Sequence, residues 1–303
     1  MASATQPITQ GASTTRPAPR RRRQRSWAWL GLLPFFVFSF LFLFLPALYL
    51  IVGSFQNNKG EVTLQNYADL TTGIIPGAFW TTIEVSFVTA VLGGIFGFLL
   101  AYAVILGGLP RLMGLALFTF SGVASNFAGV PLALAFTFTL GQLGFLTVLL
   151  QSFGINIYDT GFKLPSKLGV ELVYLYFQFP LMVLIIAPAL NGLKKEWKEA
   201  AENMGATSAQ YWRHVALPIL TPSILGAMIL LFGNAFGAQA TAFQLTGGTL
   251  NLVPIIIGAQ IRGDVLHNPG LGYAMAMGMV VIMGLSILLY TILQRRSERW
   301  LRA

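Results

Sequence analysis

Six apolar runs constrain this chain more than anything else in it: Trp29–Gly53, Phe79–Leu106, Met113–Leu134, Leu172–Leu190, Ile219–Phe243 and Tyr273–Leu293. Each approaches the ~20 apolar residues that carry a helix across a bilayer core. Only the second holds a charge, Glu84, near its start. In hydrocarbon the backbone must satisfy its own hydrogen bonds, so runs of this length fold as helices. The expectation is an all-α polytopic membrane protein with six transmembrane helices. Hydrophobic residues at 55% against 10% charged exclude an ordinary soluble domain.

Two uncharged stretches, Leu112–Tyr158 and His214–Ile261, are each long enough for two helices. Basic residues decide between the counts, because they collect on the cytoplasmic side. One helix in each stretch places Arg111, Lys194, Lys195, Lys198, Arg213 and the arginine-rich ends on one side, with both termini cytoplasmic. Lys59, Lys163, Lys167 and Arg262 are left opposite. The surplus residues, Gly141–Gly154 and Gly247–Ile261, then form interfacial or re-entrant segments or extensions of the helices beyond the bilayer. The first 25 residues, rich in Ser, Thr, Pro, Gln and Arg, read as a disordered basic tail. The membrane domain occupies 26–303, its first span being too long for a cleaved signal core. The net charge of +9 belongs to the flanks of the spans, which argues against nucleic acid as a partner.

The polar stretch 191–217 stands apart from its greasy neighbours. Leu193–Met204 alternates Lys with Glu among good helix formers, as a solvated helix does. Gly205 follows, placed to end that helix in the left-handed conformation. Thr207-Ser208-Ala209-Gln210 has the capping-box pattern for a second short helix, and Pro218 marks the entry to span five.

Within this hairpin, Glu199, Ala200, Ala201, Gly205, Leu217 and Pro218, with Val215 as the aliphatic position, match Glu-Ala-Ala-x3-Gly-x9-aliphatic-x-Leu-Pro. The chain thereby resembles permease subunits of binding-protein-dependent type I ABC importers, from span one onward. The resemblance implies that this "EAA" loop is a coupling helix seated in a groove of a cytoplasmic ATPase subunit. It also implies a second permease chain, identical or homologous, an extracytoplasmic substrate-binding protein, and the plasma membrane of a prokaryote. The segment from Ala240 to Met279, with Leu-Thr-Gly-Gly before Leu-Val-Pro, is similar to the spermidine/putrescine, opine and phosphonate branch, implying a polyamine-like or phosphonate-like substrate.

The chain contains no G-x-x-x-x-G-K-[ST] and no Gly-Lys pair, so ATP hydrolysis is assigned to another polypeptide and no enzyme activity or cofactor is expected. There are no cysteines, and the two histidines fall on opposite sides, so no metal site is expected. Glu84 and Glu171 sit near the outer ends of their spans, and no carboxylate pair is apparent. That weighs against the alternative of an ion-coupled secondary transporter, which needs ionisable groups at depth. Uncharged polar residues at depth remain as candidates for the substrate path: Asn126, Gln142, Asn234, Gln239 and Gln244. Interhelical hydrogen bonding is the simpler role for each. On one helix, Asn234 and Gln239 diverge by about 140°.

Overall fold

The computed structural model describes residues 31–263 and 267–299; the tail assigned to 1–25 and Asp264 lie outside them. Contacts divide the chain into two units, 1–47 and 48–303. In the first, Leu33–Ser39 is α-helical and Phe40–Phe44 makes a π turn, with the Leu45 N–H bonded to the Phe40 carbonyl. No residue of either segment is buried, and Phe35, Phe36 and Phe42 each expose more than 60% of their surface. That is a side-chain surface suited to lipid. The helical run to Ser54 completes α1, Leu33–Ser54. Beyond it, Asn66 of the short α2 (Gln65–Asp69) donates to the carbonyls of Ser54 and Gln56, at 3.0 and 2.8 Å, closing the end of α1.

The core of the second unit is three long helices: α3 (Ile75–Ile105), α7 (Lys167–Asn191) and α9 (Ser208–Phe236). Glycines let α3 and α7 approach closely, as in other membrane bundles. A Cβ added at Gly93 or Gly97 would lie 2.6 Å from Gln178 Cβ or Met182 Cβ. The interface continues through Ala90, Val183, Ile186, Leu220, Leu231 and Phe236, all buried. An ion pair between Lys167, the first residue of α7, and Glu84 of α3 joins the two helices at one end. The Glu84–Lys167 pair, with Glu171 one turn along α7, is a grouping not apparent in the sequence.

Between α3 and α7 the expected third span, Met113–Leu134, is not one helix. It breaks into α4 (Arg111–Ala124) and α5 (Val130–Leu140), followed by α6 (Phe145–Ser152). The break falls at Gly129, with φ 76° and ψ −149°, a conformation open essentially to glycine alone, and Pro131 then enters the first turn of α5. Among the described residues, six helical stretches are long and apolar enough to cross a membrane, but the third is Val130–Ser152; α4, at 14 residues, spans only about 21 Å.

Span five is also displaced. Instead of a separate short helix followed by a helix from Ile219 to Phe243, α9 is continuous from Ser208 to Phe236 and α10 (Ala240–Thr246) begins after a break. Continuity past Pro218 comes from a π turn over Trp212–Ala216, in which the Leu217 N–H reaches the Trp212 carbonyl. A proline cannot donate and crowds the carbonyl four residues back, and a widened turn relieves both problems. The π turn in α1 stands in the same relation to Pro46. The segment 247–261 yields the short helix α11 (Val253–Arg262), whose Val253, Ile255 and Ile256 are buried in protein. The last helix, α12, runs Pro269–Arg299.

Helix ends inside an apolar bundle leave backbone groups that water cannot reach. Side-chain hydroxyls, buried except that of the half-buried Tyr158, take them up here. The Gly129 N–H donates to Thr241 Oγ1 of α10 at 2.8 Å, and the Val253 N–H to Thr82 Oγ1 of α3 at 2.9 Å. Tyr174 Oη of α7 donates to the Ala238 carbonyl in the break of span five, and Tyr158 Oη to the Leu140 carbonyl at the end of α5. Tyr174 is 1% exposed and Thr241 2%.

Candidate coupling surface and membrane path

The hairpin begins with α8, Lys195–Asn203. Its lysines and glutamates pair along the helix, Lys195 with Glu199 at 3.1 Å and Lys198 with Glu202 at 3.8 Å. Such exposed pairs support a helix only slightly, but they keep it soluble. The helix ends as a Schellman motif. Gly205 has φ +79°, its N–H reaches the Glu202 carbonyl at 2.9 Å, and the Ala206 N–H reaches the Ala201 carbonyl at 3.0 Å. The next helix is opened by a full capping box: the Gln210 N–H donates to Thr207 Oγ1, and the Thr207 N–H to Gln210 Oε1 at 2.7 Å. The turn is therefore set by local sequence at both ends.

The Glu-Ala-Ala triplet is divided between two faces. Ala201, 5% exposed, packs with Tyr211 and Ala216 in a small cluster that fastens the hairpin to the start of α9. Ala200 is exposed, the Glu199 side chain is 54% exposed, and Met204 at the end of α8 is 82% exposed. Of the remaining motif positions, Leu217 is 41% exposed and Pro218 half-buried, both on the continuous α9. The outward surface thus combines a small side chain, a carboxylate and a flexible thioether, a combination fit for close contact with another protein.

The five candidate path residues are all exposed. Asn126 lies in the break between α4 and α5 and bonds back to the Gly122 carbonyl at 2.9 Å. Gln239 precedes α10 across the other break, with its amide against Gly258 of α11. Because Gly129 and Thr241 are joined, these two interruptions lie side by side. Asn234 is in the last turn of α9, so the 140° relation to Gln239 does not apply: the helix ends between them. Gln244 is on α10, whereas Gln142 lies apart, in a cleft of about 620 Å3 with Tyr158 and Lys163. Among the described residues, the side chains of Gln142, Asn234, Gln239 and Gln244 make no protein hydrogen bond, contrary to the interhelical role expected of them. The amide that does link helices is Gln178, fully buried, whose Nε2 donates to the Leu231 carbonyl at 2.9 Å. Its position in the middle of an apolar run was the available signal.

No family model matches the chain. It is 28% identical over 242 residues to a probable sulfate transport system permease protein of Chlorella vulgaris, covering 79% of this chain and 84% of that one. It is 26% identical over 255 residues to the spermidine/putrescine transport system permease protein of Haemophilus influenzae, covering 81% and 86%. Among solved structures, a bacterial ABC transporter that imports alginate superposes with a TM-score of 0.70 at 18% identity, over 89% of this chain and 95% of that chain. The chain is thus similar in sequence to permease subunits of sulfate and polyamine transport systems, and it has the fold of an ABC importer permease.

Proposed function

We propose that this chain is the membrane permease subunit of an ABC importer in a prokaryotic plasma membrane, and that it moves a small charged solute. The hairpin Leu193–Pro218 couples it to a separate ATPase subunit. The observation that carries this reading is the twice-capped hairpin, which holds Glu199 and Ala200 outward while Ala201 anchors it to the membrane helices. A rigid knob of this kind transmits motion, where a flexible loop would absorb it. A second permease chain completes the path opposite the exposed amides, and an extracytoplasmic binding protein delivers the substrate, as in the alginate transporter solved with its periplasmic protein.

For the substrate, the exposed face at the two breaks offers amides and no carboxylate: Asn126, Asn234, Gln239 and Gln244. Amide N–H groups solvate an oxyanion, whereas a polycation is better served by carboxylates. Glu61 and Asp159, which would serve a cation on the outer side, are instead each bonded to a neighbouring asparagine. A sulfate-like oxyanion is the reading these features favour, in place of the polyamine suggested by sequence likeness; several relatives serve sulfate. Membrane orientation follows the coupling hairpin, which faces the cytosol.

The test is uptake together with co-purification. Glu199→Lys and Gly205→Pro leave the protein in the membrane but release the ATPase subunit and abolish ATP-driven uptake. Normal uptake in both variants would contradict the coupling role. Transport by this chain alone in liposomes, driven by an ion gradient, would do the same. Competition of labelled sulfate against spermidine for uptake decides the substrate class.

A further inference from the structure

The end of α3, the first turn of α8 and the start of α9 enclose a cleft of about 280 Å3, separate from the outward coupling surface and from the amides at the breaks. Lys194, Lys195 and Lys198 line it with Tyr102, Ser208 and Trp212, and no carboxylate does. The helix explains this segregation. At 100° per residue, Lys194 and Lys198 lie about 20° and 60° from Ala201, the residue that faces inward, while Glu199 lies about 160° away. Lys194 and Lys198 therefore turn towards the bundle and Glu199 turns from it, while Lys195, 86% exposed, stands at the rim.

Their charges are only loosely engaged. The pairs Lys195–Glu199 and Lys198–Glu202 are exposed and weak, so a stronger anion displaces them at little cost. Lys194 has no ion-pair partner among the described residues; its Nζ lies 5.8 Å from the centre of the Trp197 ring. The hydroxyls of Tyr102 and Ser208 also lack protein partners there. Below the polar rim the cleft is apolar. Trp212 meets Tyr102 edge-on, with centroids 4.9 Å apart, and Leu106 and Leu193 complete the wall. Tyr102 and Leu106 close a membrane-spanning helix, the level at which aromatic rings and phospholipid headgroups meet.

We propose that this cleft binds the phosphate of an anionic phospholipid headgroup, with an acyl chain along the exposed Leu99 and Leu106 of α3. The ammonium groups of Lys194 and Lys198, with Lys195 at the rim, and two hydroxyl donors match a phosphate, and the adjoining apolar helix face selects a lipid over a soluble anion. Bound there, the lipid bridges α8 to α3 and stiffens the hairpin from its inner side, leaving Glu199 and Ala200 accessible. The site goes beyond the proposed transport role and stands without it.

The full chain is reconstituted in nanodiscs of equal phosphatidylglycerol and phosphatidylcholine, and the lipid retained after detergent exchange is weighed by native mass spectrometry. Phosphatidylglycerol is expected to be retained about tenfold over phosphatidylcholine, and the preference to vanish in the Lys194→Ala/Lys198→Ala double variant. Lys163→Ala, on a distant loop, keeps it. If the double variant does not fold, Lys194→Gln alone is expected to lower the preference by roughly fivefold. Equal retention of both lipids by the natural chain overturns the proposal, as does a preference unchanged in the folded variants. Protection of Lys194 from amine acylation by inorganic phosphate, with no lipid preference, would assign the cleft to a soluble anion and overturn the lipid assignment.

Discussion

The polar hairpin 193–218 and the paired helix breaks both interrupt an apolar chain, and they do so by opposite means. The hairpin closes its helix ends with its own neighbours: Gly205, Ala206 and Ala201 at one end, Thr207 and Gln210 at the other. The breaks at Gly129 and Ala238 close theirs with side chains more than 60 positions away, Thr241 and Tyr174. The first construction suits a solvated element that must hold its shape without help from the bundle. The second works only inside the assembled bundle and ties α5, α7 and α10 into one block. Where water is present, local capping is enough; where it is absent, the fold supplies the missing partner.

The same difference explains what could be read from the sequence. Gly205 and the Thr207–Gln210 box follow rules that refer to three or four adjacent residues, and both are found where those rules place them. Six apolar spans emerge from run length together with the placement of the basic residues. The breaks did not announce themselves, because "SNFAGVP" and "GAQAT" carry no charge and lie inside longer apolar runs, while their backbone groups find partners elsewhere in the fold. Hence the third span was placed across the Gly129 break, and span five was carried through Ala238. The continuity of α9 past Pro218 was missed for a related reason: proline reads as a helix start, and only the π turn makes it an interior residue. The division of the Ala-Ala pair between an inner and an outer face likewise depends on Tyr211 and Ala216, and thus on packing.

The sharpest way to break the contrast is to compare two positive-φ glycines. At Gly129 the backbone has φ 76° and ψ −149°, and an added Cβ meets Ala240 of α10 at 3.9 Å. Gly129→Ala is expected to cost about 3 kcal/mol. At Gly205 a Cβ meets nothing within 4 Å and the conformation is ordinary left-handed, so Gly205→Ala is expected to cost about 1 kcal/mol. Thermal unfolding in one detergent gives both values. Equal costs would mean that Gly129 is not pinned by the bundle.

Next in size is Tyr174→Phe, which keeps the ring packing and removes only the donor to the Ala238 carbonyl. Leaving that carbonyl bare is expected to cost about 2 kcal/mol. Hydrogen exchange should quicken across α10 and leave α8 unchanged. Exchange that quickens equally in the hairpin would show that the two regions are not independent. Thr207→Ala is the local counterpart: loss of the box should cost about 1 kcal/mol, and faster exchange should be confined to the first turn of α9.

The smallest effect separates stability from coupling. The Lys195 side chain is 86% exposed and pairs with Glu199 one turn on, so Lys195→Ala should change stability by less than about 0.5 kcal/mol. The same change removes the only protein cation that holds Glu199 among the described residues. A carboxylate relieved of that competitor is freer to meet a basic group on a docked ATPase. Co-purification should therefore be retained or strengthened, whereas Glu199→Gln, which removes the charge itself, should weaken it. Raised salt should weaken ATPase binding by the natural chain and by Lys195→Ala, and have less effect on Glu199→Gln. If both substitutions weaken docking alike, the ion pair acts as a unit to hold the helix, and Glu199 has no charged contact of its own across the interface.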